Sequence, residues 1–323
     1  MATVHLGRNA AVGIGFETTE GTAVAATRWA RLASLSLNVV STRSRIDDLS
    51  LGSTSYLKAR YLEQVEVSGS LEILCYYQGG ALTSFLRACI GGTWSTSGAS
   101  APYTHTLEPG AEPPAITLRT ARDTLSSSGA LQRGDVIAGV RITSATISAS
   151  TPGILRLSVN FLAMSSTPGA APTPSLTDHT TPVLSHGANR WRWNSVDYTP
   201  RSISLDLENA VEGLRGFGSS SITGAAVTGI RNARMTVTRY KDSDNWPDAQ
   251  TAGTESDGDI TFTSGTDQFR LNLYNAQIPE AVTIAAQSVG LVEESAIFEA
   301  RDDGTDPPVE FIVVNDDPNA EDS

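Results

Sequence analysis

The side chains that could carry catalysis or hold a metal ion are few in this sequence, and their spacing suits neither task. The four histidines form no pair at the i, i+4 spacing of a zinc-binding helix; they are His5, His105, His179 and His186. Two cysteines, Cys75 and Cys89, are too few for a disulfide framework or a zinc site built from thiolates. We therefore predict no metal site and no cofactor.

Two short patterns resemble functional motifs but lack residues that those motifs need. Asp242 and Asp244 are spaced like the first ligands of a calcium loop, but Pro247 stands where that loop needs a glycine for its sharp turn. The serines before Gly129 lack the Gly-x-Ser-x-Gly order of a nucleophile elbow. No two carboxylates share a predicted helix face. We predict no catalytic residue and expect that the protein is not an enzyme.

Charge and hydropathy exclude further classes. The chain of 323 residues has 23 Lys and Arg against 35 Asp and Glu, a formal net charge of −12. Sequence-independent binding to the outside of a nucleic acid needs an excess of cations that displace counterions, so we do not expect it here. The sequence contains no run of 18 apolar residues, so we predict no membrane span. The sequence indicates a soluble protein made in the cytosol, with one large or two compact units.

The hydrophobic pattern predicts a mainly β protein. Residues 65–74 alternate between apolar and polar side chains, which is typical of an amphipathic strand, and residues 153–164 alternate in the same way. One segment instead has the spacing of a helix, with Ala81, Leu82, Phe85, Leu86 and Cys89 on one face. Two glycines follow it at 91 and 92 as a helix end. We predict one clear flanking helix at about residues 80–90.

Composition divides the chain into four segments. Residues 166–188 are rich in Pro, Ser and Thr and predict a linker between residues 1–165 and residues 189–300. The sequence at residues 201–207 resembles that at 33–37, and a Ser/Gly-rich stretch and a strand follow each. We therefore predict an internal duplication in which the second module has diverged. Chance similarity between Ser/Thr-rich strands is the alternative.

Two polar segments are candidate interaction surfaces. Residues 42–62 predict a long loop of mixed charge, and loops of that length inside a compact domain are usually functional. Residues 301–323 are acidic and enclose a short apolar strand at 309–314. We predict an arm that pairs this strand, through Val309, Phe311 and Val313, with a neighbouring strand edge. A solvated tail with a chance apolar run is the alternative.

Several short motifs occur in an order that resembles one known family. They are GFETTEGT at residues 15–22, VSGSLE at 67–72, the lone helix ending at glycines 91 and 92, YTHT at 103–106 and AITL at 115–118. This combination resembles the tail tube, or major tail, proteins of long-tailed bacteriophages. The resemblance implies β-sandwich modules flanked by a helix, and subunits that form rings which stack into a tube. The tube would enclose the tape measure protein and pass DNA during ejection without binding it specifically.

The resemblance also implies a role for the charged loop at residues 42–62 and identifies partner proteins. A long loop in the family reaches the next ring, which makes the candidate inter-ring contact residues Arg43, Arg45, Asp47, Asp48, Lys58 and Arg60. Tail terminator and tail tip proteins would be partners, and assembly would take place in the host cytoplasm. Two modules in each chain predict trimeric rings with pseudo-sixfold symmetry; hexameric rings are the alternative. Membranes are not expected as partners.

A rival interpretation is a carbohydrate-binding or adhesin-like β-sandwich. Such a protein would present aromatic platforms in its loops, and Trp191 with Trp193 is the one such pair. Both rings would lie on one face of a strand, which favours packing in the core or at an interface.

Overall fold

A computed structural model describes residues 5–46, 59–78, 81–124, 131–170, 172–175, 181–185, 190–216, 219–286 and 291–320. These residues form twenty strands and two helices, which confirms the mainly β prediction. Neither helix in these ranges is long and apolar enough to span a membrane.

The elements of the first half are β1 (His5–Phe16), β2 (Arg28–Ile46), β3 (Ala59–Leu74), α1 (Ala81–Ile90), β4 (Ser95–Ser97), β5 (Tyr103–Leu107), β6 (Ile116–Thr124), β7 (Leu131–Ser150), β8 (Arg156–Ala163) and β9 (Ser165–Ala170). Those of the second half are β10 (Trp191–Trp193), β11 (Val196–Tyr198), β12 (Pro200–Glu208), β13 (Val211–Leu214), β14 (Gly224–Val227), β15 (Asn232–Tyr240), α2 (Asn245–Ala252), β16 (Glu255–Ser264), β17 (Asp267–Gln277), β18 (Thr283–Ala286), β19 (Val292–Glu299) and β20 (Val309–Asn315).

The two helices differ in how strongly the sequence specifies them. α1 matches the predicted helix, buries nine of its ten residues, and ends at Gly91 and Gly92, both at positive φ. α2 is an addition to the predicted elements. It buries only Trp246 and ends at Gly253, whose left-handed conformation forms its C-cap. A single buried residue produces no helical periodicity, which is why the pattern did not predict α2.

Six strands of the first half close into a barrel in the order β1, β2, β3, β8, β7, β6 and back to β1. β7 is the longest strand, and its second half continues out of the barrel to pair with β12. That pairing joins the two halves of the chain in one sheet.

The joined sheet has eight strands in the order β2-β3-β8-β7-β12-β15-β19-β18, and every neighbouring pair is antiparallel. We call β2, β3, β8 and β7 the first unit, and β12, β15, β19 and β18 the second unit. Both units have the same strand order, and in both a helix follows the second strand in the chain. This repeated topology agrees with the duplication expected from the sequence.

A second sheet has the order β11-β10-β16-β17-β20-β5-β4. It packs on the eight-stranded sheet, as the rings of Trp191 and Trp193 show: their centroids lie 5.2 and 5.1 Å from that of Phe298 in β19. One continuous hydrophobic core contains residues of both halves.

The segment expected to be a linker is packed against the first half where the structure describes it. Within residues 166–188, β9 pairs with β7, and the buried Val183 donates its N–H to the Cys75 carbonyl at 3.0 Å. Residues 171, 176–180 and 186–188 lie outside the described residues. β9 is an edge strand and therefore tolerates Pro168. The Pro, Ser and Thr content of residues 166–188 disfavours a helix, but it does not prevent the segment from packing against the first half.

The expected C-terminal arm is likewise a core strand of its own subunit. β20 lies between β17 and β5, and Val309, Phe311 and Val313 are buried in the common core. Acidic residues on both sides suggested an arm, whereas the strand itself alternates as a sheet interior requires.

The predicted loop 42–62 is shorter than expected. β2 continues to Ile46 and β3 begins at Ala59, and these two residues pair directly. Residues 47–58 lie outside the described residues. The sequence did not predict these strand ends, because residues 42–46 and 59–62 show no sustained alternation of apolar and polar residues.

Candidate assembly surface

The eight-stranded sheet has one apolar face and one polar face. Its apolar face is part of the core. On the other face, successive strands place polar residues opposite one another. One such row crosses seven strands and contains Ser34, Glu72, Ser158, Thr146, Asp206, Arg234 and Glu299. The face is therefore a broad polar surface to which both units contribute.

Carboxylates outnumber arginines on this polar face. Among the residues whose side chains the structure describes, the register places six acidic residues there, Glu66, Glu72, Asp206, Glu208, Glu293 and Glu299, and three arginines, Arg141, Arg156 and Arg234. A fourth, Arg201, lies at a bulge of β12 and forms an ion pair with Glu293. The described part of this face therefore carries more carboxylates than arginines.

The arginines of the polar face are matched by carboxylates. Arg141 Nη2 lies 3.2 Å from Glu20 Oε2, and Arg234 Nη2 lies 3.3 Å from Glu299 Oε1. Arg156 forms a short ion pair with Glu72. These contacts neutralise the positive charges locally, so the remaining field of the face comes from carboxylates.

The sheet ends in two uncovered edges among the described residues. β1 covers the outer edge of β2 only from Arg28 to Arg31. At the other end, β18 pairs only with β19. Large apolar side chains are exposed at both edges, Val39 and Val40 on β2 and Ile284 on β18. An uncovered edge with apolar side chains is a template for pairing with another strand.

A hairpin of the second half lies over part of the first unit. β13 and β14 form it, and Arg215 Nη2 on this hairpin lies 3.2 Å from Glu66 Oε2. The Val65 N–H donates to the Ser220 carbonyl at 2.7 Å, and the Ala225 N–H donates to Glu20 Oε1 at 3.1 Å. The hairpin connects β12 to β15 and thus corresponds in position to the β2–β3 connection.

A buried cation holds α2 on the second unit. Arg239 donates from Nη2 to Glu294 Oε2 at 2.8 Å, and both side chains are fully buried. Its guanidinium lies over two neighbouring rings, 4.5 Å from the Tyr198 centroid and 4.3 Å from that of Trp246. A second carboxylate, Asp242, accepts a short hydrogen bond from Arg239. These contacts fix the start of α2 where its apolar surface is small.

The six residues predicted as an inter-ring contact divide into two groups. Arg43 and Arg45 lie on β2, and Arg60 lies opposite Arg45 on β3. Asp47, Asp48 and Lys58 lie outside the described residues. The structure therefore places three of the six at the end of the paired β2 and β3 strands, next to the connection formed by residues 47–58.

The other candidate side chains of the sequence have structural surroundings. His105 is buried, with Nδ1 2.9 Å from Thr96 Oγ1 and Nε2 2.9 Å from the Asp317 carbonyl. Cys75 and Cys89 are buried, and burial raises the pKa of both thiols. In the part of the chain that is described, no group of three or more His, Cys, Asp or Glu residues could hold a metal ion.

The rival carbohydrate-binding interpretation depended on Trp191 and Trp193. Both rings lie on one face of β10, as their spacing predicted, and both are buried in the core. They form no exposed platform for a sugar ring. No observation on the described residues favours this alternative.

Sequence reasoning missed the edge residues of the sheet, although a signal was present. Residues 146–149 read TISA in β7, and residues 283–286 read TIAA in β18. Each segment is the outermost strand of its unit. Comparing the two halves strand by strand would have matched them.

Comparisons with known proteins agree with this architecture. A family model described as phage tail tube protein matches residues 7–311. No curated protein matches the chain.

Proposed function

Because the chain belongs to the phage tail tube protein family, we propose that it stacks as rings into a tail tube that encloses the tape measure protein and conducts DNA during ejection. The family is structural and acts in the virion tail. One observation carries the finer proposal: a continuous eight-stranded sheet has a carboxylate-rich face and an uncovered edge at each end.

The polar face of the eight-stranded sheet lines the lumen in this proposal. A net negative wall repels the phosphate backbone and lets DNA slide, whereas unpaired arginines would bind it and stall its passage. The ion pairs that hold Arg141, Arg156 and Arg234 support this role, because they remove the positive charges that would otherwise face DNA.

The ring is a trimer with pseudo-sixfold symmetry. Each chain supplies two units of identical strand order, so three chains supply six units. Closed rings are the normal outcome of repeated head-to-tail contacts. In the alternative, a hexamer, the second unit would lie outside the tube wall. The shared sheet supports the trimer, because β7 and β12 place both units in one continuous surface.

The remaining partners follow from the same role. The tube would belong to a long, flexible tail, assemble in the host cytoplasm, and end at tail terminator and tail tip proteins. Contact between rings would come from the long β2–β3 hairpin, with Arg43, Arg45, Asp47, Asp48, Lys58 and Arg60 as the contacting residues. Mixed charges suit a contact that sets register and still slips when a tail bends.

Electron microscopy of the purified chain tests the proposed function. We expect tubes or stacked rings, with three chains in each ring and both units in the lumen wall. Monodisperse monomers under all assembly conditions would contradict the tube. Six chains in each ring would contradict the trimer.

A shortened hairpin tests the inter-ring contact. Ile46 and Ala59 are directly opposed, so an Asn-Gly turn can replace residues 47–58 without disturbing the paired strands. We expect subunits with an unchanged melting temperature that no longer stack into tubes. Normal tubes from this variant would show that the loop does not connect the rings.

A further inference from the structure

We infer that β18 of one copy pairs antiparallel with β2 of a second copy, in the register that β7 and β12 adopt inside the chain. This inference deepens the proposed ring and rests on it. The partner is a second copy of this chain, and the contact is the junction between neighbouring subunits.

The two units of the eight-stranded sheet are equivalent in register. β2–β3 and β12–β15 are antiparallel pairs in which Leu35 lies opposite Leu71 and Ile203 lies opposite Val237. The next strand continues the match, because Val159 of β8 lies opposite Leu71, and Ala296 of β19 lies opposite Val237. The register of one unit therefore maps residue by residue onto the other.

The outermost strands fit the same map. Ser158 lies opposite Thr146 in the first unit, and the equivalent Ser295 lies opposite Thr283 in the second. The registers leave the shift along the strands open, and the match of SLSL at 34–37 with SISL at 202–205 fixes that shift. The registers then superimpose the TISA sequence at 146–149 on the TIAA sequence at 283–286. Sequence and register thus agree that β18 is the counterpart of β7.

Inside the chain, β7 joins the first unit to the second by pairing with β12. Ile147 lies opposite Leu205, and Ser148 lies opposite Ser204. Repeating that junction between copies places Ile284 opposite Leu37 of the second copy and Ala285 opposite Ser36 of that copy. The pairing is antiparallel and head to tail, so each added copy presents a new uncovered edge until the ring closes.

The exposure of the apolar side chains supports this junction. Ile284 is 50% exposed, whereas its counterpart Ile147 is 1% exposed. Val39 is 53% exposed, whereas its counterpart Leu207 is 3% exposed. The same positions are thus apolar in both units but covered only where a neighbouring unit is present. A second copy would cover them in the same way.

Cysteine cross-linking tests the register. The variant Ser36→Cys with Ala285→Cys places two thiols opposite each other across the subunit junction. The native Cys75 and Cys89 are fully buried and give little background. After assembly under reduction and then oxidation, we expect covalent ladders that close at three chains for a trimer. A ladder that closes at six would retain the junction but place twelve units in the wall, and would contradict the six-unit ring.

Two matched variants calibrate this experiment. Ser148→Cys with Ser204→Cys is the equivalent pair inside the chain and should form an intrachain disulfide to a similar extent. Val40→Cys with Ala285→Cys moves one thiol four residues along β2, about 13 Å at the rise of a strand, and should give few cross-links. Equal ladders from the displaced pair would overturn the proposed register.

A single substitution tests the junction without cysteines. Ile284→Asp places a charge on the apolar side of the uncovered edge, and we expect folded subunits that form no rings. Val196→Asp is the control, because Val196 is also exposed but lies on β11 in the second sheet; it should assemble normally. Wild-type tubes without the expected ladder, or normal tubes from Ile284→Asp, would overturn the junction and leave the tube intact. Failure of the wild-type chain to form tubes would instead contradict the proposed function.

Discussion

The two units of the eight-stranded sheet share a backbone arrangement but hold their helices by different interactions. At one pair of equivalent positions the first unit has Ile73 opposite Leu157, and the second unit has Arg239 opposite Glu294. All four side chains lie on the core side of the sheet and are buried. The same strand order and register therefore tolerate the exchange of an apolar pair for an ion pair.

The helices explain why the exchange is useful. α1 buries nine residues, whereas α2 buries only Trp246. Polar contacts add to this area at the C-terminal end of α1, where the Cys89 carbonyl accepts from Asn209 Nδ2 at 2.6 Å and the Ile90 carbonyl accepts from Arg231 Nη2 at 2.7 Å. Directional contacts stabilise α2 in place of a large buried apolar area. Arg239 contacts the Trp246 ring and donates to Asp242 next to α2, and it also donates to Glu294 of the sheet. A short polar helix can therefore occupy the place of a longer apolar one.

The largest effect is expected from removing one partner of the buried pair. Glu294→Ala leaves the Arg239 charge without its buried carboxylate and should lower the free energy of unfolding by roughly 3–5 kcal/mol. Glu299→Ala is the control, because its ion pair with Arg234 is partly solvent-exposed and should contribute about 0–1 kcal/mol. Denaturant unfolding of the subunit measures both. Equal effects would contradict a special role for the buried pair.

A smaller loss of stability is expected from enlarging Gly69, which is less bulky than the equivalent residue of the second unit. Gly69 is equivalent to Met235, and a Cβ at Gly69 would lie 2.5 Å from both Phe161 Cζ and the Ser36 carbonyl oxygen. Gly69→Ala should therefore destabilise the subunit by about 1–3 kcal/mol through overpacking. Gly169→Ala, where a Cβ meets no atom within 4 Å, should change stability little. Thermal unfolding compares the two, and a neutral Gly69→Ala would show that Phe161 moves freely.

Copying the first unit into the second should have a still smaller effect. Arg239→Ile with Glu294→Leu replaces the ion pair by the apolar pair of the first unit. Removing both charges avoids an unpaired buried ion, while the lost contact with the rings of Tyr198 and Trp246 costs about 1–2 kcal/mol. We expect the double variant to be more stable than Glu294→Ala in the same denaturant titration. A double variant as unstable as the single one would show that α2 depends on the cation itself.

The smallest effect concerns Asp267, whose Oδ2 lies 3.4 Å from Gln78 Nε2 across the two halves. Burial, with a further contribution from Asp316, raises the pKa of the Asp267 carboxyl. The raised pKa favours the protonated form in the folded state, so this contribution to stability is complete at low pH and is lost as pH rises through the folded pKa. Asp267→Asn should thus gain stability relative to the wild type between acidic and neutral pH. Melting temperatures across that range measure it, and a constant difference would contradict the shift.

The predictable part of the fold is the part that local alternation encodes. β8 and β20 show the period of two in the sequence and in their burial, and α1 shows the helical spacing. The neighbours of β20 could not be predicted, because its pairing with β5 and β17 joins residues far apart in the chain. Acidic residues beside β20 suggested an arm, although the strand is central.

For the polar face of the eight-stranded sheet, the sequence predicted only the sign of the charge. The excess of carboxylates appears in the composition, but the face that carries them depends on the register of eight strands. The uncovered edges depend on which strands remain unpaired, and alternation is identical in a paired and an unpaired strand. Ile284 and Val39 therefore look like ordinary strand residues until their neighbours are known.

The pairing of β7 with β12 has a mechanical consequence for a tube of such subunits. Seven residue pairs and a continuous core stiffen this junction inside each chain, whereas β18 offers only four residues to a neighbouring copy. A ring of three copies would therefore alternate stiff and compliant joints around its circumference. Bending or radial strain would concentrate at the three compliant joints, so the hoop would deform with threefold rather than sixfold symmetry.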